Sequence, residues 1–89
     1  MRMPSYTKQF AKDLKRMAKR GKAPAKIKNI IKDLVDEERL DVNYKDHKLI
    51  GNYKGRRECH VEQDWLLIYK IIYSEIILER TGTHSDLFE

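Results

Sequence analysis

The sequence predicts an α+β fold in which an antiparallel helical hairpin packs on a small antiparallel β-sheet. Residues 8–35 repeat apolar side chains at helical spacing, and residues 57–81 contain three β-type runs separated by short polar breaks. The chain has 89 residues, of which 40% are hydrophobic, and this is enough apolar material for one small core. We therefore expect a single domain over residues 1–89.

Two helices are predicted in the N-terminal third. The first follows a capping residue, Ser5 or Thr7, and stops near Gly21. Its apolar residues fall on one helical face: Phe10, Leu14, Met17 and Ala18. Pro24 suits the first turn of the second helix, whose apolar residues follow an i, i+3, i+4, i+7, i+8 pattern: Ile27, Ile30, Ile31, Leu34 and Val35. Because the connection is short, the two helices are expected to be antiparallel.

The runs 57–61, 65–72 and 76–81 predict an antiparallel meander, because only short loops separate them. Alternation assigns one face of this sheet to the helices: Cys59, Val61, Trp65, Leu67 and Tyr69. His60 then points to the opposite face. Trp65 is expected to pack in the core rather than to stack on a base, and Cys59 to act as a small buried hydrophobe. Residues 36–56 are predicted to be a polar, turn-rich connection.

Several classes of protein are disfavoured. No run of about 20 apolar residues is present, so we expect no membrane span. The first six residues lead into Lys8 and Lys12 rather than an apolar stretch, so no signal peptide is predicted and the cytoplasm is the expected location. The single cysteine, Cys59, has no second cysteine with which to form a disulfide or to share a structural zinc.

The formal net charge of +5 conceals an asymmetry along the chain. Residues 1–32 contain eleven lysines and arginines and a single acid, Asp13, whereas residues 33–89 contain eight bases and thirteen acids. A basic block of this kind attracts phosphate backbones, anionic membranes or acidic proteins. It is also typical of a solvated helix face that serves only solubility, so the charge alone identifies no partner.

Five residues after the helices form a candidate reactive set: His47, His60, Asp64, Arg80 and His84. Imidazoles, a carboxylate and an arginine suit cleavage of an RNA phosphodiester without metal, with a base for the 2′-hydroxyl, an acid for the leaving 5′-oxygen and a cation for the phosphate. A metal site is disfavoured, because adjacent residues on a strand project to opposite faces and the histidines lack close ligand spacing. Taken singly, each histidine fits a surface or hydrogen-bonded structural role better than a catalytic one.

The strings around these residues carry a resemblance. They are Lys45-Asp46-His47-Lys48-Leu49, Arg57-Glu58-Cys59-His60-Val61, Asp64-Trp65-Leu66-Leu67-Ile68-Tyr69 and Glu79-Arg80-Thr81-Gly82-Thr83-His84-Ser85-Asp86-Leu87-Phe88. In this order they closely resemble the YafQ branch of the RelE superfamily of bacterial toxins. The match is dense over residues 45–88 and looser over the helices, where only the basic amphipathic pattern agrees.

The resemblance implies a ribosome-dependent mRNA endoribonuclease that needs no metal or cofactor and is neutralised by an antitoxin of the DinJ/RelB type. It also implies a RelE-like fold, with a helical hairpin on the sheet and a short C-terminal helical turn. By position, the catalytic set corresponds to His47, His60, Asp64, Arg80 and His84, and Phe88 to a residue placed against an mRNA base. Phe88 is equally able simply to close the core. We expect His84 to protonate the leaving oxygen and His47, aided by Asp64 and His60, to act on the 2′-hydroxyl; the swapped assignment is open.

The resemblance also gives the basic helices a role, since an enzyme in the ribosomal A site is surrounded by rRNA of the 70S ribosome. The candidate phosphate-binding residues are Lys8, Lys12, Lys15, Arg16, Lys19, Arg20, Lys22, Lys26 and Lys28. Two alternatives are a non-catalytic RNA- or protein-binding module on the same scaffold and a structural partner in a complex. Neither of them requires the reactive set.

Overall fold

Three α-helices and five strands make up the part of the chain that the computed structural model describes, residues 1–88. In chain order they are β1 (Met3–Tyr6), α1 (Lys8–Lys19), α2 (Pro24–Val35), β2 (His47–Lys48), β3 (Arg57–Glu62), β4 (Trp65–Ile72), β5 (Glu75–Gly82) and α3 (His84–Phe88). Single 3₁₀ turns at Val42–Tyr44 and Gly51–Tyr53 interrupt the connection between α2 and β3. None of the helices in this range is long and apolar enough to cross a membrane.

The helix boundaries follow local sequence signals. The Thr7 hydroxyl accepts a hydrogen bond from the Phe10 backbone N–H at 2.9 Å and so caps α1. Past the C-terminal end of α1, Gly21 has φ +91°, a conformation that glycine adopts without the strain of a side chain. Pro24 occupies the first turn of α2, where a missing N–H costs nothing. The predicted extents of both helices are therefore confirmed.

The sheet is mixed, with strand order β1-β5-β4-β3-β2. The predicted meander is confirmed, because β3, β4 and β5 pair antiparallel. The prediction of an entirely antiparallel sheet is wrong, because β1 runs parallel to β5 and forms one edge. All four residues of β1 are exposed and one is Pro4, so this edge strand carries no apolar alternation that would predict it. The two-residue strand β2 forms the other edge and lies within the segment predicted to be a connection.

The face of the sheet that was assigned to the helices does pack on them. One buried cluster joins sheet residues and helix residues: Cys59, Val61, Trp65, Leu67 and Tyr69 with Phe10, Met17, Ile27, Ile30 and Leu34. Trp65 is completely buried there, and its indole N–H donates to the Thr81 hydroxyl at 2.8 Å, so the core assignment of this residue is confirmed. On the opposite face a smaller cluster joins Leu66 and Ile68 to Leu87 of α3. The predicted C-terminal helical turn is thus present, and it covers the face that carries His60.

Strand register gathers polar residues on that second face. His60 is paired with Leu66, which is paired with Gly82, and Glu58 is paired with Ile68, which is paired with Arg80. A bulge in β5 at Glu79 sets this alignment. Because paired residues point to the same side, His60 and Arg80 belong to one face of the sheet.

Candidate active site

The three histidines lie in a row. The ring centroids of His47 and His60 are 6.4 Å apart, and those of His60 and His84 are 5.9 Å apart. Phe88 extends the row, with its ring centroid 6.3 Å from that of His84. Strand β2, strand β3 and helix α3 each contribute one imidazole, so residues that are far apart in sequence form one continuous surface.

A buried carboxylate joins the first two histidines. Glu58 is only 4% exposed, and its Oε1 lies 3.5 Å from His47 Nε2 and 3.6 Å from His60 Nε2. The other ring nitrogens face carbonyl oxygens, with His47 Nδ1 at 2.6 Å from Lys45 O and His60 Nδ1 at 3.2 Å from Gln63 O. Each imidazole therefore has Nδ1 at a backbone carbonyl oxygen and Nε2 beside the shared Glu58 carboxylate, beyond ordinary hydrogen-bond distance. The sequence interpretation missed Glu58, although its i, i+2 spacing from His60 on a strand is the signal that places both on one face.

The segment that carries His47 is held to the sheet by the preceding residue. The Asp46 carboxylate accepts a hydrogen bond from the Tyr69 hydroxyl and one from Arg57 Nη2 at 2.8 Å. His47 itself is paired with Glu58 in the β2–β3 ladder. The short, exposed strand β2 is therefore fixed at its first residue by contacts to β3 and β4.

Asp64 binds His84. Its Oδ1 lies 2.6 Å from His84 Nδ1 and also accepts the His84 backbone N–H at 2.9 Å. These hydrogen bonds, the backbone one first, hold the pKa of the Asp64 carboxyl below its usual value. Because Nδ1 is engaged, Nε2 is the nitrogen of His84 that is available to a ligand. Asp64 was expected to assist His47; the structure places it on His84, and Glu58 is the carboxylate beside His47.

Arg80 is held by a carboxylate from α1. Its Nε lies 2.7 Å and its Nη2 3.3 Å from the two oxygens of Asp13, whose side chain is completely buried. Burial raises the pKa of Asp13, but hydrogen bonds from Arg80, Gln9 and the Thr81 backbone N–H outweigh it, so that the pKa lies below its usual value. Arg80 also lines a cavity of about 310 Å³ that includes Tyr53. The structure therefore supplies Arg80 with an orienting partner.

Asp13 also completes the edge of the sheet. Strand β1 ends at Tyr6, and beyond it Asp13 accepts the Thr81 backbone N–H at 3.2 Å in place of a strand partner. The sequence does hold a signal for this role. Asp13 is the only acid in residues 1–32, and it falls at helical spacing between Phe10 and Met17 on the buried face of α1.

Phe88 does not close the core. It is 47% exposed, whereas its neighbour Leu87 is 6% exposed and fills the cluster beneath α3. The Phe88 ring meets Tyr53 edge to face at 5.5 Å, and the Tyr53 hydroxyl donates to Leu87 O at 3.3 Å. An aromatic ring supported on one side and open on the other therefore stands at the end of the histidine row.

The nine basic candidates divide into two groups. Four are engaged within the chain: Arg16 with Asp13, Arg20 with Asp86, and both Lys22 and Lys26 with Glu62. The other five are exposed and form no ion pair within residues 1–88: Lys8, Lys12, Lys15, Lys19 and Lys28. An external phosphate meets less competition at the second group than at the first.

Cys59 belongs to the core rather than to the site. It is completely buried, and burial, reinforced by the charges of Asp46 and Glu58, raises the pKa of its thiol to about 12. The predicted role of a small buried hydrophobe is therefore confirmed. Within residues 1–88, no three His, Cys, Asp or Glu side chains are grouped closely enough to hold a metal ion.

The fold and the site together define a toxin of a bacterial type II toxin–antitoxin system. Residues 2–89 match the family model described as "Bacterial toxin of type II toxin-antitoxin system, YafQ". The chain belongs to the YafQ toxin family, as its sequence strings predicted.

Relatives and solved structures agree with this assignment. The mRNA interferase toxin YafQ of Escherichia coli strain K12 is 45% identical over 84 residues, which cover 93% of this chain and 91% of the relative. The crystal structure of the E. coli DinJ–YafQ complex matches with a TM-score of 0.93 and 43% identity over 100% of both chains. YafQ from E. coli strain BL21(DE3) matches with a TM-score of 0.94 and 42% identity, again over 100% of both chains.

Proposed function

We propose that the chain, as one domain, is a ribosome-dependent mRNA endoribonuclease that cuts mRNA in the A site and so stops translation in the cytoplasm. The proposal includes the RelE-like arrangement of a helical hairpin on the sheet and a DinJ/RelB-like antitoxin as partner. The relative named mRNA interferase supports the activity. The observation that carries the proposal is the row of three histidines, each paired with a carboxylate, on one open face.

The row suits attack of a 2′-hydroxyl on the neighbouring phosphorus. The 2′-oxygen forms a bond to phosphorus as the 5′-oxygen leaves, which produces a 2′,3′-cyclic phosphate and a free 5′-hydroxyl. One proton leaves the 2′-hydroxyl and one reaches the 5′-oxygen, so a base and an acid are needed on opposite sides of the phosphate. His47 and His84 stand at opposite ends of the row with His60 between them, which supplies such an arrangement without a metal.

We assign the acid role to His84 and the base role to His47. The exposed Asp64 carboxylate accepts from Nδ1–H of His84 and so fixes the ring, which leaves Nε2 as the nitrogen that delivers a proton to the leaving oxygen. On the other side, Nδ1 of His47 faces Lys45 O, so Nε2 is the nitrogen that takes the proton of the 2′-hydroxyl, and Glu58, beside both His47 and His60, stabilises the positive charge that arrives with it. Glu58 thus takes the supporting role that the sequence interpretation gave to Asp64.

Arg80 and Phe88 complete the substrate contacts. Arg80, oriented by Asp13, stabilises the charge that develops on the phosphate oxygens. Phe88 presents an open ring face beside His84, and a base that stacks there fixes the scissile phosphate against the row.

The exposed lysines supply the ribosome contacts. Phosphate contacts from lysine position a protein on RNA without reading its sequence, which suits a toxin that uses the ribosome to present its substrate. The five unpaired lysines within residues 1–88 are the strongest of the candidates, and the four ion-paired residues contribute less.

An antitoxin segment fits a groove lined from both α1 and α2. The groove measures about 530 Å³ and its wall is apolar: Tyr6, Phe10, Ala11, Leu14, Ile31 and Leu78. Lys15 and Lys28 stand at its rim. We assign to it an amphipathic, acidic segment of the antitoxin, because such a segment matches both the apolar wall and the lysines. The solved complex of a relative with its antitoxin DinJ supports a partner of this class.

Cleavage of mRNA on programmed ribosomes tests the function. The purified chain is expected to cut the mRNA in the A site and to leave the same RNA intact when ribosomes are omitted. His84→Gln is expected to slow cleavage by roughly 100- to 10,000-fold. Glu75→Gln, an exposed carboxylate at the opposite end of β5, is the matched control. Ribosome binding without cleavage by the parent protein would instead identify a non-catalytic binding module.

A further inference from the structure

Arg20 and Asp86 connect the end of α1 to the C-terminal helix. Arg20 Nη1 lies 2.6 Å from Asp86 Oδ2, and Nη2 lies 3.2 Å from Oδ1. The two residues, 66 positions apart in sequence, therefore form a bidentate salt bridge. The Asp86 side chain is only 13% exposed, although Arg20 is 43% exposed. This pair therefore ties the helical layer on one face of the sheet to α3 on the other.

We propose that Arg20 and Asp86 form a clamp that positions α3, and with it His84 and Phe88, for cleavage. The inference rests on the proposed function and gives Arg20 a different task from the phosphate contact expected of it. Arg20 is a positioning residue, since it contacts Asp86 and not the reacting atoms.

Helix α3 needs such support because it is only five residues long. A helix of one to two turns forms too few hydrogen bonds to offset the free-energy cost of nucleation, so it depends on tertiary contacts for its stability. Within it, Leu87 alone is buried beneath the helix. The clamp adds a second anchor, one residue before Leu87.

Asp86 also organises the first turn of α3. Its Oδ2 accepts the Thr83 backbone N–H at 2.9 Å, and its own N–H donates to the Thr83 hydroxyl at 3.1 Å, which is a reciprocal capping arrangement. Oδ2 is therefore shared between Thr83 and Arg20, so the guanidinium fixes the same carboxylate that begins the helix at His84. The orientation of the backbone at His84, and hence the hydrogen bond between His84 and Asp64, depends on the Asp86 carboxylate.

The backbone is shaped to admit Asp86. A Cβ on Gly82 would lie 2.9 Å from Asp86 Cβ and 3.0 Å from its Oδ2, which is closer than side-chain atoms approach one another. Glycine at this buried position in β5 therefore lets the carboxylate settle against the strand, within reach of Arg20. Three separate features therefore act on the Asp86 carboxylate: the absence of a side chain at Gly82, the capping hydrogen bonds with Thr83 and the bidentate salt bridge with Arg20.

The first experiment compares Arg20→Ala and Asp86→Asn with the parent protein in single-turnover cleavage on programmed ribosomes. Asn at position 86 still accepts from Thr83, so this variant removes the charge pair and keeps the helix cap. Both variants are expected to lower kcat by roughly tenfold to a hundredfold through misplacement of His84, with little change in KM. The double variant is expected to lose no more than either single one, because both remove the same contact. Lys19→Ala, an exposed neighbour assigned to ribosome binding, is expected to raise KM and to retain kcat.

A spectroscopic signal completes the test. In the free protein, the downfield NMR resonance of the His84 N–H bonded to Asp64 is expected to weaken in both single variants. This reading needs no RNA, so it tests the clamp even if the parent protein does not cleave. An unchanged resonance in Arg20→Ala, with KM raised and kcat retained, would overturn the clamp and identify Arg20 as a phosphate ligand.

Discussion

Asp13 and Arg80 form an ion pair between α1 and the last strand, with 2.7 Å between Asp13 Oδ2 and Arg80 Nε. The carboxylate is completely buried and the guanidinium is one-quarter exposed, so one end of the pair is in the core and the other lines the cavity shared with Tyr53. Asp13 accepts three further hydrogen bonds, from Gln9, Arg16 and the Thr81 backbone. The stability of the fold and the orientation of the Arg80 side chain therefore depend on the same carboxylate.

The first prediction concerns Asp13→Asn. The amide cannot balance the charge of Arg80 and cannot accept through both of its polar atoms, so we expect a loss of about 2–4 kcal/mol in the free energy of unfolding. Urea unfolding followed by circular dichroism measures it. The matched control is Glu75→Gln at an exposed position, which is expected to change the stability by less than about 0.5 kcal/mol. Equal stability of Asp13→Asn and the parent protein would show that the pair contributes nothing.

The contribution of Asp13 depends on pH in a definite direction. Its pKa in the folded protein lies below the ordinary value of 3.8, so the unfolded chain takes up a proton first as the pH falls. The stability it contributes is full above that value and is lost as the pH falls through the folded pKa. The stability difference between the parent protein and Asp13→Asn is therefore expected to be constant near neutrality and to shrink below about pH 4.

The second prediction separates the chemistry of Glu58 from its structural role. Glu58→Gln keeps the shape of the side chain but removes the charge shared by His47 and His60. We expect cleavage on programmed ribosomes to slow by at least about tenfold, since the carboxylate no longer stabilises the protonated base. The free energy of unfolding is expected to change by no more than about 1 kcal/mol, because the variant leaves no buried charge unpaired. A variant that unfolds and cleaves like the parent would remove Glu58 from the mechanism.

Local periodicity predicted the two helices, the three-strand meander and the core face of the sheet, because each of these depends on the pattern of apolar residues within one short segment. Strand β1 has no such pattern, since a fully exposed edge strand is held by backbone pairing with β5 rather than by apolar alternation. The residue strings, through their family resemblance, brought His47, His60 and His84 into one hypothesis. Periodicity alone does not place three residues from separate segments side by side.

The supporting carboxylates show where sequence interpretation stops. Helix periodicity places Asp13 on the buried face of α1, and strand periodicity places Glu58 on the same face as His60. The faces of these two carboxylates could therefore be predicted from the sequence pattern alone. The partner of each carboxylate could not be predicted in this way. Glu58, and not Asp64, lies beside His47 because of side-chain directions at a turn, which periodicity does not describe. The Arg20–Asp86 pair has no local signal at all, since it spans 66 residues and depends on how α3 folds back across the sheet.

The third prediction concerns the thiol of Cys59. Because burial raises its pKa to about 12, almost no thiolate is present at neutral pH and the folded protein is expected to resist alkylation by iodoacetamide. The same reagent is expected to modify Cys59 completely in urea, which is the control for reagent activity. Cys59→Ser is expected to retain cleavage, with a stability loss of about 1–3 kcal/mol from the buried hydroxyl. Loss of cleavage by a folded Cys59→Ser protein would contradict a purely structural role.

The fourth prediction tests the ribosome contacts. A variant that replaces Lys12, Lys15 and Lys19 by Glu changes only exposed residues without ion pairs in the part of the chain that the structure describes. We expect weaker binding to 70S ribosomes and a salt dependence (log affinity against log salt) that is less steep by about two to three units. Filter binding over a range of KCl concentrations measures both. An unchanged slope would mean that these lysines do not meet phosphates.

The last prediction concerns the groove assigned to the antitoxin. Ala18 lies exposed on its wall, so Ala18→Glu places a carboxylate against the apolar side of an incoming acidic segment without disturbing the core. We expect the affinity for the cognate antitoxin to fall by at least about tenfold, from loss of apolar contact and from charge repulsion. Isothermal titration calorimetry measures it, with Ala25→Glu, an exposed alanine outside the groove, as the matched control. Cleavage by Ala18→Glu alone is expected to equal that of the parent and to resist inhibition by added antitoxin. Equal antitoxin affinities for Ala18→Glu and Ala25→Glu would place the antitoxin elsewhere on the toxin.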